Sequence, residues 1–131
     1  MSSDFRIYSG SELLNSDHVS IPPLIEGILY ERKNILCIAD VKSGKSVFTL
    51  QMAYSLTSGD DFLDKFKIPN PVNVLYVQTE GSKEETIERM KRMAKAVPID
   101  PERFRLYYHW GLGLNIEKEF LEFIQVVEKD G

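Results

Sequence analysis

"ILCIADVKSGKSVFTLQMA", residues 35–53, joins an apolar run to a short polar turn and then to a segment with helical periodicity. Its middle, "ADVKSGKS", meets the phosphate-binding pattern G-x-x-x-x-G-K-[ST] at every specified position except the first, where Ala39 stands for glycine. The context is the one such a loop needs, directly after an apolar run and directly before a helix. The alternative is a surface turn with no ligand. In a phosphate loop, the backbone N–H groups of Lys42, Ser43, Gly44, Lys45, Ser46 and Val47 wrap the phosphates at the positive end of the following helix. Gly44 lets the backbone come close. Lys45 brings a mobile positive charge to the β and γ phosphates, and the Ser46 hydroxyl suits Mg²⁺. Ala39 lies at the strand-to-loop turn. A negative φ there makes the exchange nearly free, and a positive φ costs on the order of 1 kcal/mol.

Working outward, "NILCIA" (34–39) reads as a strand buried on both faces. Cys37 within it reads as a buried structural thiol, and the lone cysteine fits a reducing cytoplasm. Residues 45–58 predict a helix with Val47, Leu50, Ala53 and Tyr54 on one side, stopped by Gly59. "DDFLDKFKIPNP" reads as a loop with apolar anchors, and "VNVLYVQ" (72–78) as a second buried strand. Ser82 and Glu85 fit a capping box opening a helix. Ile87, Met90, Ala94 and Val97 form its expected buried stripe, with Pro98 as its stop. Glu85–Arg89 and Glu88–Arg92 are spaced for ion pairs. "RFRLYYH" (103–109) is a third strand. Residues 116–128 form an amphipathic helix with Phe120, Phe123, Ile124 and Val127 inward. Alternating strands and helices predict an α/β fold around a parallel sheet. Residues 1–23 read as an extended lead-in with a helical turn at Ser11–Leu14, and 24–131 as the domain.

The 131 residues, 43% hydrophobic and 11% aromatic, suffice for one core. A net charge of −4 gives no basic field of the kind that gathers nucleic acid. No apolar run is long enough to span a bilayer, so no membrane partner is expected. His18 and His109 lack companions at metal-ligand spacing. Trp110 reads as a packed aromatic rather than a ligand contact. Asp60, Asp61 and Asp64 read as loop solvation, and "RMKRMAK" (89–95) as a solvated face.

The second strand ends "VLYVQTEGSKEETIERM". In open α/β sheets, ligands lie beyond the C-terminal ends of the strands. Glu80 is therefore placed either to orient or deprotonate a water near the γ-phosphate or simply to begin a helix, whose positive end favours acids.

"LCIADVKSGKSVFTLQMAYSLTSG" followed by "NVLYVQTEGSKEETIERMKRMA" resembles the ATPase core of RecA-like P-loop proteins, nearest the hexameric RepA, RadA and DnaB group. The lead-in "PPLIEGILYERKNILCIA" fits as well, so the resemblance spans roughly residues 22–131. It implies a three-layer sandwich with a mostly parallel sheet, ATP and Mg²⁺ as ligands, and Glu80 as the catalytic glutamate. It also implies that Arg89 packs on the adenine face; stacking of a guanidinium on a base is sound, and an ion pair with Glu85 is the competing role. In the family, a metal-holding aspartate strand, an arginine finger and DNA-binding loops come later. The chain thus resembles the N-terminal part of such a core, its sheet incomplete on the C-terminal side. By itself it is expected to hydrolyse little ATP and to dimerise over an open sheet edge, where the complete protein forms hexamers on DNA. Three functions remain open: an ATP-hydrolysing helicase or recombination and repair ATPase, a small nucleotide kinase, and a nucleotide-sensing module without turnover.

Overall fold

The computed structural model describes residues 6–17, 20–40, 42, 44–109, 111 and 117–131. Ser43, His18 and Trp110 lie outside the described residues.

Helix α2 (Lys45–Ser58) is the central pillar. Its residues from Met52 to Thr57 are all buried, because apolar groups are spread around the helix rather than along one stripe. Met52 and Leu56 pack with Ile25, Phe62 and Ile68. Leu50, Ala53 and Tyr54 pack with Phe104. Val47, expected on the buried side, is 44% exposed, since it lies in the first turn beyond both clusters. Gly59 stops the helix as expected, at φ +81.

Two strands, β3 (Val74–Gln78) and β4 (Phe104–Tyr108), pair in parallel with Val74 opposite Phe104 and Gln78 opposite Tyr108. Helix α3 (Lys83–Met93) lies between them in sequence, so the unit is a strand–helix–strand crossover. Side chains alternate across the pair. Val74, Tyr76, Phe104 and Leu106 face the cluster built on α2 and α3. Tyr107 faces the other way, and its ring meets Phe123 of helix α4 (Glu117–Asp130) edge-on at 5.0 Å. Helices therefore cover both faces of the pair. The Tyr54 hydroxyl donates to the Met90 carbonyl at 2.8 Å and locks α2 to α3. The buried Thr57 hydroxyl accepts from the Asp100 N–H at 3.1 Å, at the start of the short 3₁₀ turn leading into β4.

Several expectations need correction. Residues 34–39 form no strand and pair with no described strand; Leu36 and Ile38 are 83% and 82% exposed. Cys37 is accordingly exposed rather than buried. An apolar run becomes a buried strand only when neighbours supply both ladder hydrogen bonds and cover, and none of the described strands does so. Beside the parallel β3–β4 pair, which agrees with the expected parallel sheet, there is a separate antiparallel hairpin, β1 (Pro23–Ile25) with β2 (Leu29–Tyr30), which was not expected. Its signal was Gly27, which turns the chain at φ +80 while the Ile28 N–H bonds to the Ile25 carbonyl at 3.0 Å. The hairpin is docked by the Glu26 N–H on the Lys67 carbonyl at 2.9 Å.

Helix α3 ends at Met93, short of Pro98, and its stripe is shifted. Thr86 is buried, Met90 and Val97 are half-buried, and Ile87 and Ala94 are exposed, because the face turned to Tyr54 and Gln78 is the one carrying Thr86 and Met90. In α4, Phe123, Ile124 and Val127 are half-buried but Phe120 is 43% exposed, since the sheet beneath it has two strands among the described residues. The lead-in holds α1 (Gly10–Leu14), with a full capping box between Ser9 and Glu12. No helix is long and apolar enough to cross a membrane among the described residues.

Candidate functional site

The loop before α2 is shaped by two residues in the left-handed region, Lys42 at φ +62 and Gly44 at φ +90. Gly44 is the helix N-cap residue and has no side chain with which to cap. A Cβ there would meet no protein atom within 4 Å, so the backbone angle is what calls for glycine. Ala39 is not among the positive-φ residues, so no left-handed strain attends the residue that replaces the pattern's first glycine.

The first intrahelical bond runs from the Phe48 N–H to the Gly44 carbonyl at 2.9 Å. The N–H groups of Lys45, Ser46 and Val47 precede it and have no partner within the helix itself. The first turn of α2 carries no acid that would compete for them. An anion is thus favoured here both by donor geometry and by the helix dipole. Lys45 Nζ donates to the Ala39 carbonyl at 2.8 Å, folding its charge back over the loop. Ser46 Oγ makes no hydrogen bond among the described residues.

Beyond the C-terminal end of β3 lies a cleft of about 430 Å³, lined by Ser46, Tyr76, Glu80, Glu85, Thr86 and Arg89 among others. The fold thereby gathers three residues that the sequence offered separately: the loop serine, the acid after β3, and an arginine nine residues further on. The cap of α3 is Ser82, whose Oγ accepts from the Glu85 N–H at 3.0 Å. Glu80 sits two residues before that cap, and its carboxylate has no hydrogen-bond or ion-pair partner among the described residues. Arg89 is half-buried and makes no ion pair with Glu85, whereas Arg92 does pair with Glu88, at 2.7 Å.

Sequence reasoning missed the groups that hold this cleft together. The Thr49 and Tyr76 hydroxyls meet at 3.2 Å and tie α2 to β3. The Gln78 amide accepts from the Thr86 hydroxyl at 2.6 Å and donates to the Glu80 carbonyl at 2.9 Å. A lone glutamine at a strand end carries no local signal for such a role. No group of three or more histidine, cysteine or acidic residues able to hold a metal occurs among the described residues. Asp60, Asp61 and Asp64 border a separate pocket of about 570 Å³, lined also by Gly59 and Pro98.

A strand–helix–strand fold with a glycine-lysine-serine loop at a helix N-terminus, opening on the C-terminal end of the sheet, defines an α/β nucleoside-triphosphate-binding protein. The chain belongs to the AAA domain family, whose model matches residues 12–122. It is thus a P-loop protein of the nucleotide-binding, ATPase type, with ATP as the nucleotide the family implies. No curated protein and no solved structure gives a significant match to the chain.

Proposed function

We propose that the protein is a RecA-like, ATP-hydrolysing motor core of the RepA, RadA and DnaB kind, acting in DNA metabolism. The observation that carries the hydrolytic reading is the shared cleft: Ser46, Glu80 and Arg89 line one cavity beside the start of α2. In this reading, Lys42 to Val47 cradle the phosphates, with Ser43 in the series. Lys45 exchanges its bond to Ala39 for the β and γ phosphates, and the Ser46 hydroxyl is free to meet Mg²⁺. Mg²⁺ would neutralise phosphate charge. Glu80 accepts a proton from, or aligns, the attacking water; its unpartnered carboxylate and the presence of Ser82 as the helix cap favour this over a capping role. Arg89, unpaired and half-buried, is available to stack on the base.

The exposed Leu36 and Ile38 support self-association, the other half of this reading, through which copies of the chain would assemble on DNA. The decisive experiment is Glu80→Gln, which keeps size and hydrogen bonding but removes basicity. In the complete protein, ATP affinity should stay within a few-fold while turnover falls by about 10²-fold or more. Equal turnover in both proteins would remove Glu80 from the chemistry.

A further inference from the structure

The turn that carries Glu80 is held at every carbonyl while its carboxylate is left free. The Thr79 carbonyl accepts from the Gly111 N–H at 2.7 Å. The Glu80 carbonyl accepts from Gln78 Nε2 at 2.9 Å. The Gly81 carbonyl accepts from the Tyr108 hydroxyl at 2.8 Å. The Ser82 carbonyl accepts from the Thr86 N–H at 3.3 Å and from Gln78 Nε2 at 3.5 Å.

Gln78 is the member that reaches two of these carbonyls, and its own orientation is set from behind. Thr86 is 5% exposed, and its hydroxyl donates to Gln78 Oε1 at 2.6 Å. A primary amide whose oxygen accepts that bond must turn its NH₂ toward the carbonyls. Gln78 is also anchored through its backbone, whose carbonyl accepts from the His109 N–H at 3.0 Å where β3 and β4 end. Gly81 completes the turn at φ +78, a backbone angle that a side chain would strain.

We propose that Gln78, oriented by Thr86, is the positioning residue that fixes Glu80 over the nucleotide cleft; the inference rests on the proposed role of Glu80. A general base has to be held within hydrogen-bond reach of its water, and small displacements cost large factors in rate. Holding the backbone on all sides leaves the carboxylate with only its own rotations to settle. Gln78 acts through Glu80, so its loss should lower kcat and leave nucleotide affinity nearly untouched.

The test compares the parent with Gln78→Leu and with Gln78→Glu. The second is nearly isosteric and keeps an acceptor for Thr86 but loses the two donated bonds, so it serves if the first fails to fold. Two readouts are taken. In the nucleotide-free chain, hydrogen exchange over residues 79–86 should quicken about threefold or more in both variants, with α2 unchanged. In steady-state ATP turnover by the complete protein, kcat should fall about tenfold or more with ATP affinity within about threefold. Thr86→Val should follow the same pattern, and Thr86→Ser, which retains the hydroxyl, should restore the parent's behaviour. The double variant Gln78→Leu/Glu80→Gln should be within about twofold of Glu80→Gln alone, because both act on one group. Unchanged exchange, unchanged kcat, or an equal loss of affinity and kcat would overturn the positioning role while leaving Glu80 in place. Parent-like turnover in Glu80→Gln, or none in the complete parent protein, would overturn the functional reading and the positioning role with it.

Discussion

Replacing Lys45 with alanine removes the mobile charge that the phosphate-loop pattern directs to the β and γ phosphates. Two effects set the size of the loss. A charge-assisted hydrogen bond contributes about 1.5–3 kcal/mol, and an ammonium can donate to both the β and γ phosphates. Against this, Lys45 must give up its 2.8 Å bond to the Ala39 carbonyl, an exposed contact worth about 1 kcal/mol. The alanine variant has no such bond to surrender. The balance is about 2–5 kcal/mol, so ATP affinity should fall by roughly 30- to 4,000-fold. Fold stability should scarcely change, because Lys45 is exposed, touches neither core cluster and starts a helix in which alanine is well tolerated. Titration calorimetry with ATP on the parent and the variant measures the first quantity, and thermal unfolding without nucleotide measures the second. Parent-like affinity in a folded variant would refute the phosphate-loop assignment. Lost affinity with a large fall in melting temperature would mean that the loop shapes the fold rather than the ligand site.

Two predictions concern what holds the site in place. Tyr54→Phe deletes the hydroxyl's bond to the Met90 carbonyl, which still receives the Ala94 N–H at 2.9 Å, so the expected loss is only about 1 kcal/mol by denaturant unfolding. Burial raises the Tyr54 phenol above its ordinary value of 10.0, so the unfolded chain releases that proton first. Above about pH 10 the unfolded state binds fewer protons and stability falls as pH rises through the folded value; this decline should be shallower in Tyr54→Phe, and equal slopes would contradict it. Phe62 is wholly buried and meets the Phe48 ring edge-on at 5.4 Å, so Phe62→Ala should cost about 3–5 kcal/mol, and a loss under about 1 kcal/mol would show the cluster to be loose.

Much of the site was legible because its signals are local. A glycine, a lysine and a serine in fixed order before a helical period announce an anion site at a helix start, since the relevant donors belong to one stretch of backbone. Gly59 as a stop and Ser82 as a cap are equally local, each acting within one turn of its own helix. The placement of Glu80 beyond β3 followed from a rule about where strands end, not from any knowledge of its neighbours.

What the tertiary structure alone decided involves partners distant in the chain. Residues 34–39 have the composition of a buried strand, yet burial is conferred by neighbouring strands, and among the described ones none lies alongside. The α3 stripe shifted from Ile87 and Ala94 to Thr86 and Met90 because Gln78 and Tyr54, on other elements, chose the contact face. Periodicity reports that a helix has a face to bury, and only packing says which polar groups that face must satisfy. The clamp on the Glu80 turn joins Tyr108 to Gly81 across 27 residues of chain, a hydrogen bond that neither segment specifies by itself. The sequence by itself thus determined where helices begin and, through the family, the nucleotide class of ligand, because caps and the glycine-lysine-serine order are short-range signals. The grouping of Ser46, Glu80 and Arg89 on one cleft, and the glutamine that steadies it, arose from the pairing of β3 with β4 and the packing of α2 against both.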